Sequence, residues 1–393
     1  MQPRFPIERD AKRAALLAAV ESVRTTLRDA AQDAETQGTL PAVSVDALTQ
    51  SGLFTLKLPA ALGGAEADPL IQIEVLEAIS AIEPSAGWCA MIGATGIGLP
   101  GAFLAEAAIE QVFAGGRIPR GAIVAMPAGE AVPEAGGYRL TGQWPFASGV
   151  RHAQWITLGA RVNRGPGAAP EQRFMVLPTS AIHMHDNWHV AGLQATGSCD
   201  ISVTGHLVPE AFSWERAQGR PQRGGPMYRM PNPGFVANEH AAFALGVGRA
   251  ALDAAVDLAR SRRRGFTPAA SSLEARPAFQ RAIGRGELKL RGARTLVLDV
   301  YGEACTLLSA GELPSPRLQA HMRGVATYAT EVAAEVVTEA FRYAGGAAVY
   351  RSQRLQRYLR DINVAAQHLM VSDIAYETLG QSLLGLPDVD PMR

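Results

Sequence analysis

The residues best suited to chemistry lie in four short segments. In GQWPFASGVRHAQW (142–155), Ser148 and Gly149 sit at a turn between two strand-like runs. A hydroxyl and open backbone N–H groups at such a turn can hydrogen-bond the polar edge of a cofactor, although Ser–Gly is also ordinary hairpin punctuation. In WHVAGLQATGSCDISVTGHLVP (188–209), Trp188 and Leu193 can wall a pocket while Thr196, Gly197 and Ser198 offer donors; a plain strand–turn–strand with aromatic packing reads the same way. RSRRRGFTPAA (260–270), with Gln280 downstream, carries three consecutive arginines. They suit a ligand phosphate or, more simply, the negative end of a helix dipole. YAGGAAVYRSQRLQRYLRDINVAAQHLM (343–370) holds Gly345–Gly346, where a ligand can approach the backbone closely. It also holds Asp361 and His368, seven residues apart and on one face if the helix between them is continuous. His368 is either an acid–base group or a satisfied core residue.

Metal and thiol chemistry are not expected. His183 and His185 have strand spacing but no cysteine or carboxylate partner in register, and Cys89, Cys199 and Cys305 are far apart. The three thiols suit a reducing compartment.

The elements that must position these residues follow from composition. Residues 1–117 are Ala-rich and read as helices. One begins at an N-cap Ser44 and ends near Ser51, another spans Asp68 to Ile82, and a third lies between Ala86 and Ala94. Residues 118–225 read as strands, at GYRLTGQW, QWITLGARV, QRFMVLPTSA and CDISVTGHLVP, in a small antiparallel barrel or sandwich. GRPQRGGPMYRMPNPG (219–234) reads as a linker or surface loop. Residues 226–393 return to long apolar-striped helices, the last of them running from Ser352 to Gly380, and predict a four-helix bundle. The fold class is therefore α+β and mostly α, in three regions.

The 393 residues are 47% hydrophobic and 19% charged, with 37 basic and 37 acidic side chains. That balance implies no general attraction to nucleic acid or an anionic membrane. There is no unbroken apolar run of membrane length and no signal-peptide pattern at the N-terminus, so a cytoplasmic location is expected.

Taken in order, the segments resemble the acyl-CoA dehydrogenase superfamily over nearly the whole chain. The resemblance rests on SGLFTLKLPAALGGAEAD, GLQATGSCDISVTGHLVP, RRGF, Gln280, AGGAAVY and LRD. EPSAGWCAMIG, GGYRLTGQWPFASGVRHAQWITLGA and RYLRDINVAAQH further resemble its two-component flavin monooxygenase branch. The dehydrogenases commonly place a catalytic Glu eight residues after the Asp of their Arg–Asp pair; here that residue is Leu369. The second active-site histidine that several aromatic hydroxylases carry downstream of the PSxxW tryptophan is missing from GWCAMIGATGIGLPGAF.

The resemblance implies an oxygenase that takes reduced FMN or FAD from a separate reductase and uses O2 on a small substrate, most commonly an aromatic one in that branch. It places Ser148 at the flavin N5 edge, with Gly149, Thr196 and Ser198 nearby, and makes His368 the acid–base group. Trp144, Phe146 and Trp188 exclude water. Arg264, Phe266 and Gln280 contact flavin phosphate or adenine from a neighbouring subunit, and Gly345 and Gly346 approach the same cofactor. A homotetramer is implied. The competing expectations are an FAD-dependent acyl-CoA dehydrogenase, with Glu239 as its carboxylate by location, and a non-catalytic flavin-binding relative.

Overall fold

Glu8 opens the first helix by accepting the Asp10 and Ala11 N–H groups, and α1 runs Arg9–Asp29. α2 (Ala31–Gln37) and α3 (Ala42–Ser51) each close on a left-handed glycine, Gly38 and Gly52. Ser44 is not the cap of α3: Pro41, fixed at φ −64°, supplies the extended start, and Ser44 is buried inside the helix. Asp68 caps α4 (Pro69–Ile82) through Leu70 and Ile71. α5 (Pro84–Phe103) continues well past Ala94. Its glycines are packing devices. A Cβ on Gly96 would lie 2.7 Å from the Ala122 backbone, and one on Gly93 would lie 2.7 Å from the Phe54 ring. By length and composition α5 is apolar enough to cross a membrane, which the sequence did not suggest, but 83% of that stretch is buried in the protein. α6 is Glu106–Val112. The computed structural model from which this architecture is read describes residues 4–163, 171–217, 219–261, 272–387 and 389–392.

The strands are β1 (Gly121–Glu134), β2 (Gly137–Trp144), β3 (Trp155–Val162), β4 (Glu171–Pro178), β5 (His183–Met184), β6 (Ile201–Pro209) and β7 (Ser213–Glu215). They form one seven-stranded sheet in the order β5-β6-β2-β1-β3-β4-β7. β1 escaped the sequence reading because Pro127, Gly129 and Pro133 interrupt it; a register shift between Val124 and Gly129 absorbs the irregularity. Every neighbouring pair is antiparallel except β1 and β3, which run parallel. The residue alternation along β2 turns Leu140 and Trp144 into the core of this sheet, beside Ile156, Leu158 and Ile201.

The remaining helices are α7 (Gly234–Ser261), α8 (Pro277–Ser309), α9 (Pro316–Ala344), α10 (Arg354–Ala365) and α11 (Ile374–Leu383). α7 packs on α4, α8 and α9. Small residues set the spacing: a Cβ on Gly246 would lie 2.3 Å from the Glu77 carbonyl oxygen, and one on Gly248 would lie 2.7 Å from Leu290. Two differences from the sequence reading matter. The 219–234 stretch is anchored rather than superficial, because Tyr228 is buried and its hydroxyl donates to the Lys57 carbonyl. The helix expected from Ser352 to Gly380 is broken. α10 ends at Ala365, and a 3-10 turn, Leu369–Val371, precedes α11.

The chain forms two compact units. The first comprises Met1–Ala67, Trp88–His189 and Gln194–Arg229; the second comprises Asp68–Gly87, Val190–Leu193 and Met230–Arg393.

Candidate active site

In the sheet-containing unit, the turn after β2 has a strained entry. Phe146 adopts φ +61°, and its carbonyl accepts the Ser148 N–H at 2.8 Å. Gly149 follows at φ +71°, and its N–H donates to the Thr196 carbonyl at 2.9 Å. This holds Ser148 against the 196–198 segment. The Trp88 indole N–H donates to Ser148 Oγ at 3.0 Å. Ser148 Oγ is 2.7 Å from Ser198 Oγ, which is 2.6 Å from Thr196 Oγ1. All three hydroxyls are buried. Either hydroxyl of each pair can donate: run from Thr196 through Ser198 to Ser148, beside the Trp88 bond, the chain presents the Ser148 O–H as a polarised donor, and run the other way it turns that O–H inward to Ser198. Beneath the turn lies His152, whose ring covers Gly149: a Cβ there would lie 3.2 Å from its Nε2. Burial, reinforced by Arg120, lowers its pKa to about 4, so it is neutral.

The aromatic residues of this region divide. Phe146 is 67% exposed and meets Trp188 edge to face at 6.3 Å between ring centroids. The half-buried Trp188 donates its indole N–H to the Gln194 carbonyl. Trp144 is fully buried, and its N–H donates to the Gly159 carbonyl at 2.8 Å. It therefore supports the sheet under the turn and presents no surface to a ligand.

In the helical unit, His368 does not share a helix face with Asp361. It caps the 3-10 turn, and its Nδ1 accepts the Met370 N–H at 3.2 Å. With Nδ1 committed as an acceptor, the neutral ring carries its proton on Nε2 and presents a donor there. The residue is exposed at the surface, and desolvation by the protein around it lowers its pKa to about 4. The ring of His240, near the start of α7, lies 4.2 Å from it between centroids. Asp361 is buried. Its Oδ1 accepts the Leu193 N–H at 2.6 Å, while Oδ2 has no hydrogen-bond partner. Desolvation, with Glu83 adding to it against the Leu193 bond and the Arg357 and Arg360 charges, raises its pKa to about 7. Leu193 is held at φ +51°, and a Cβ on the preceding Gly192 would lie 2.3 Å from the Arg360 carbonyl oxygen.

The other expected positions are less connected. Gly345 ends α9 at φ +71°, and a Cβ on Gly346 would meet nothing within 4 Å. Gln280 is exposed and donates to the Glu274 carbonyl, closing the start of α8. Arg264 and Phe266 lie outside the described residues. Glu239 is buried, within electrostatic reach of Tyr301 on α8. Among the described residues there is no cluster of three or more metal-ligating side chains.

The acyl-CoA dehydrogenase N-terminal domain model matches residues 10–111, and the C-terminal domain model matches residues 239–373. A pigment production hydroxylase of a Rhodococcus species is 31% identical, over 98% of this chain and 100% of its own length. The chain belongs to the acyl-CoA dehydrogenase superfamily, in its flavin-dependent monooxygenase branch. An indole-3-acetate monooxygenase of Pseudomonas putida is 30% identical over 87% of this chain and 86% of its own. The solved structure of XiaF from Streptomyces, in complex with FADH2 and glycerol, has a TM-score of 0.86 at 29% identity, covering 97% of each chain.

Within this superfamily member, the position expected of a dehydrogenase carboxylate is Leu369, which is 66% exposed. Glu377, the next carboxylate along the chain after Asp373, is exposed on α11. Sequence reasoning missed His240. The polar run Asn238–Glu239–His240 at the start of an otherwise apolar helix was the available signal.

Proposed function

We propose that the chain is the oxygenase component of a two-component monooxygenase. It uses reduced FMN or FAD, delivered by a separate flavin reductase, and O2 to hydroxylate a small aromatic substrate. Bound reduced flavin supplies the two electrons that let one oxygen atom enter the substrate while the other leaves as water. The residues present fit such a group. A buried hydroxyl chain includes Ser148, Gly149 follows at positive φ with the His152 ring against it, and the exposed Phe146 ring stands beside Trp188. Ser148, Gly149, Thr196 and Ser198 hold the polar edge of the ring system, and Phe146 and Trp188 keep water from it. Gly345, Gly346, Gln280, Arg264 and Phe266 serve the rest of the cofactor, in a homotetramer in the cytoplasm.

The observation that carries this reading in preference to dehydrogenation is His368. A base that abstracts a proton next to a thioester needs a lone pair aimed at carbon. Here the Nδ1 lone pair is taken by the Met370 N–H, and Nε2 carries hydrogen. A neutral imidazole N–H instead donates to oxygen, as the oxygen-transfer reaction requires. The substrate is aromatic by likeness to the indole-3-acetate monooxygenase.

The test is anaerobic preparation of the reduced-flavin complex followed by rapid mixing with oxygenated buffer. Preferential binding of reduced over oxidised flavin, a transient absorbance distinct from either form, and O2-dependent hydroxylation of an aromatic are expected. Tightly held oxidised FAD that bleaches with an acyl-CoA and reoxidises slowly would overturn the proposal.

A further inference from the structure

His240 approaches His368 from α7, and nothing in the reaction as described so far uses it. It is 6% exposed, and the two ring planes are inclined by 31° with their centroids 4.2 Å apart. At that separation the two rings are in tilted contact, too close for an in-plane hydrogen bond between them. His368 is also held by its own turn. Met370 N–H fixes Nδ1, and the buried Arg323 of α9 donates to the carbonyls of Leu369 and Met370 at 3.0 and 3.4 Å. These bonds fix where the ring is attached and which nitrogen accepts. The ring's flat face needs a separate constraint, and His240 lies on it.

The packed elements bring several charged and titratable groups, among them the buried Arg357 of α10 and Asp390, whose charge acts on Arg323. α7 brings His240, with Glu239 beside it in sequence and within electrostatic reach of Tyr301. α9 brings Arg323, turned onto the two carbonyls. α10 brings Asp361, whose Oδ1 is bound to Leu193.

We propose that His240 is a positioning residue for His368, a plate that excludes water from the imidazole face and holds the ring neutral with Nε2 as its donating edge. The role of that edge in oxygen transfer rests on the monooxygenase reading; the tilted pair does not. Two imidazoliums at this distance repel, so the pair binds its first proton far more readily than its second. Desolvation is the cause of the low His368 pKa, and the His240 ring is one of the groups packed against the imidazole.

The deciding experiment is a histidine ring NMR titration of the full-length chain without flavin, with His368 identified by the signal lost in His368→Asn. In the unmodified chain His368 should stay neutral, protonated on Nε2, well below the ordinary value of 6.5. In His240→Ala its midpoint should rise by about one unit or more as water reaches the ring. In His240→Phe, which keeps a flat cover, it should stay low. An unchanged midpoint in His240→Ala, a rise in His240→Phe as large as in His240→Ala, or a wild-type proton on Nδ1 would each overturn the proposal. If His240→Ala does not fold, His240→Phe decides alone, a low midpoint supporting the plate and a midpoint near 6.5 overturning it. A parallel assay of product formed per reduced flavin consumed separates the two readings. If the unmodified chain transfers no oxygen, the monooxygenase reading fails while the titration still decides His240.

Discussion

Replacing Asp361 by Asn should stabilise the protein, and increasingly so as pH rises. The carboxyl is buried, its Oδ2 has no hydrogen-bond partner, and desolvation raises its pKa from 3.8 to about 7. A carboxyl whose folded pKa is raised takes up a proton on folding between those two values. Its folded state is unpenalised below about pH 4 and loses stability as pH climbs to 7. A shift of about three units at about 1.36 kcal/mol per unit gives a penalty approaching 4 kcal/mol above pH 7. Asn keeps an oxygen for the Leu193 N–H and cannot ionise, so it escapes the penalty. Thermal melts of both proteins from pH 5 to pH 8 check this: the Asn variant should gain several degrees on the wild type, with the gap widening toward pH 8. Asp361→Ala, which leaves the buried Leu193 N–H without its acceptor, should be weaker by about 1–3 kcal/mol at low pH, where the charge is absent. A gap between wild type and Asn that does not change with pH, or that closes as pH rises, would refute the reasoning.

Other substitutions address separate parts of the site. Ser148→Ala strands the Trp88 N–H and breaks the hydroxyl chain. Product per reduced flavin consumed should fall about tenfold, with hydrogen peroxide making up the difference and reduced-flavin binding retained. His368→Asn keeps an acceptor for Met370 but loses the Nε2 donor, so hydroxylation should stop while fluorescence titration still shows reduced-flavin binding. Trp144→Phe removes the bond to Gly159 from the sheet core and should cost about 1 kcal/mol in denaturant unfolding, with little change in turnover. Gly192→Ala drives a methyl group against the Arg360 carbonyl and should destabilise the helical unit by more than about 1 kcal/mol, measured by chemical denaturation.

Legibility followed the range of the interactions involved. Ser148, Thr196 and Ser198 stood out because turn residues declare themselves locally. That their hydroxyls form one chain did not, because the bond from Ser148 to Ser198 spans fifty positions. Trp144 and Phe146 looked equivalent in sequence. The sheet separates them, because strand alternation turns Trp144 into the core while the backbone at Phe146 flips to positive φ and turns its ring outward. β1 was lost for the opposite reason: its Pro and Gly residues break the pattern of a strand that the register shift at Val124 and Gly129 nonetheless accommodates.

His368 shows how an element boundary decides chemistry. Read as part of one continuous helix it lies two turns above Asp361 on a shared face, and its ring is then a free acid–base group. The helix ends at Ala365, and the residues beyond it turn so that Nδ1 becomes the cap of the next element. A capping nitrogen is an acceptor by geometry, which forces the proton of the neutral ring onto Nε2. The same break that removes His368 from Asp361 therefore converts it from a base into a donor, and brings its face against His240. Helical periodicity could place neither partner, because the pairing depends on where α10 stops and on the last residue of a short polar run, Asn238–Glu239–His240, at the start of an otherwise apolar α7.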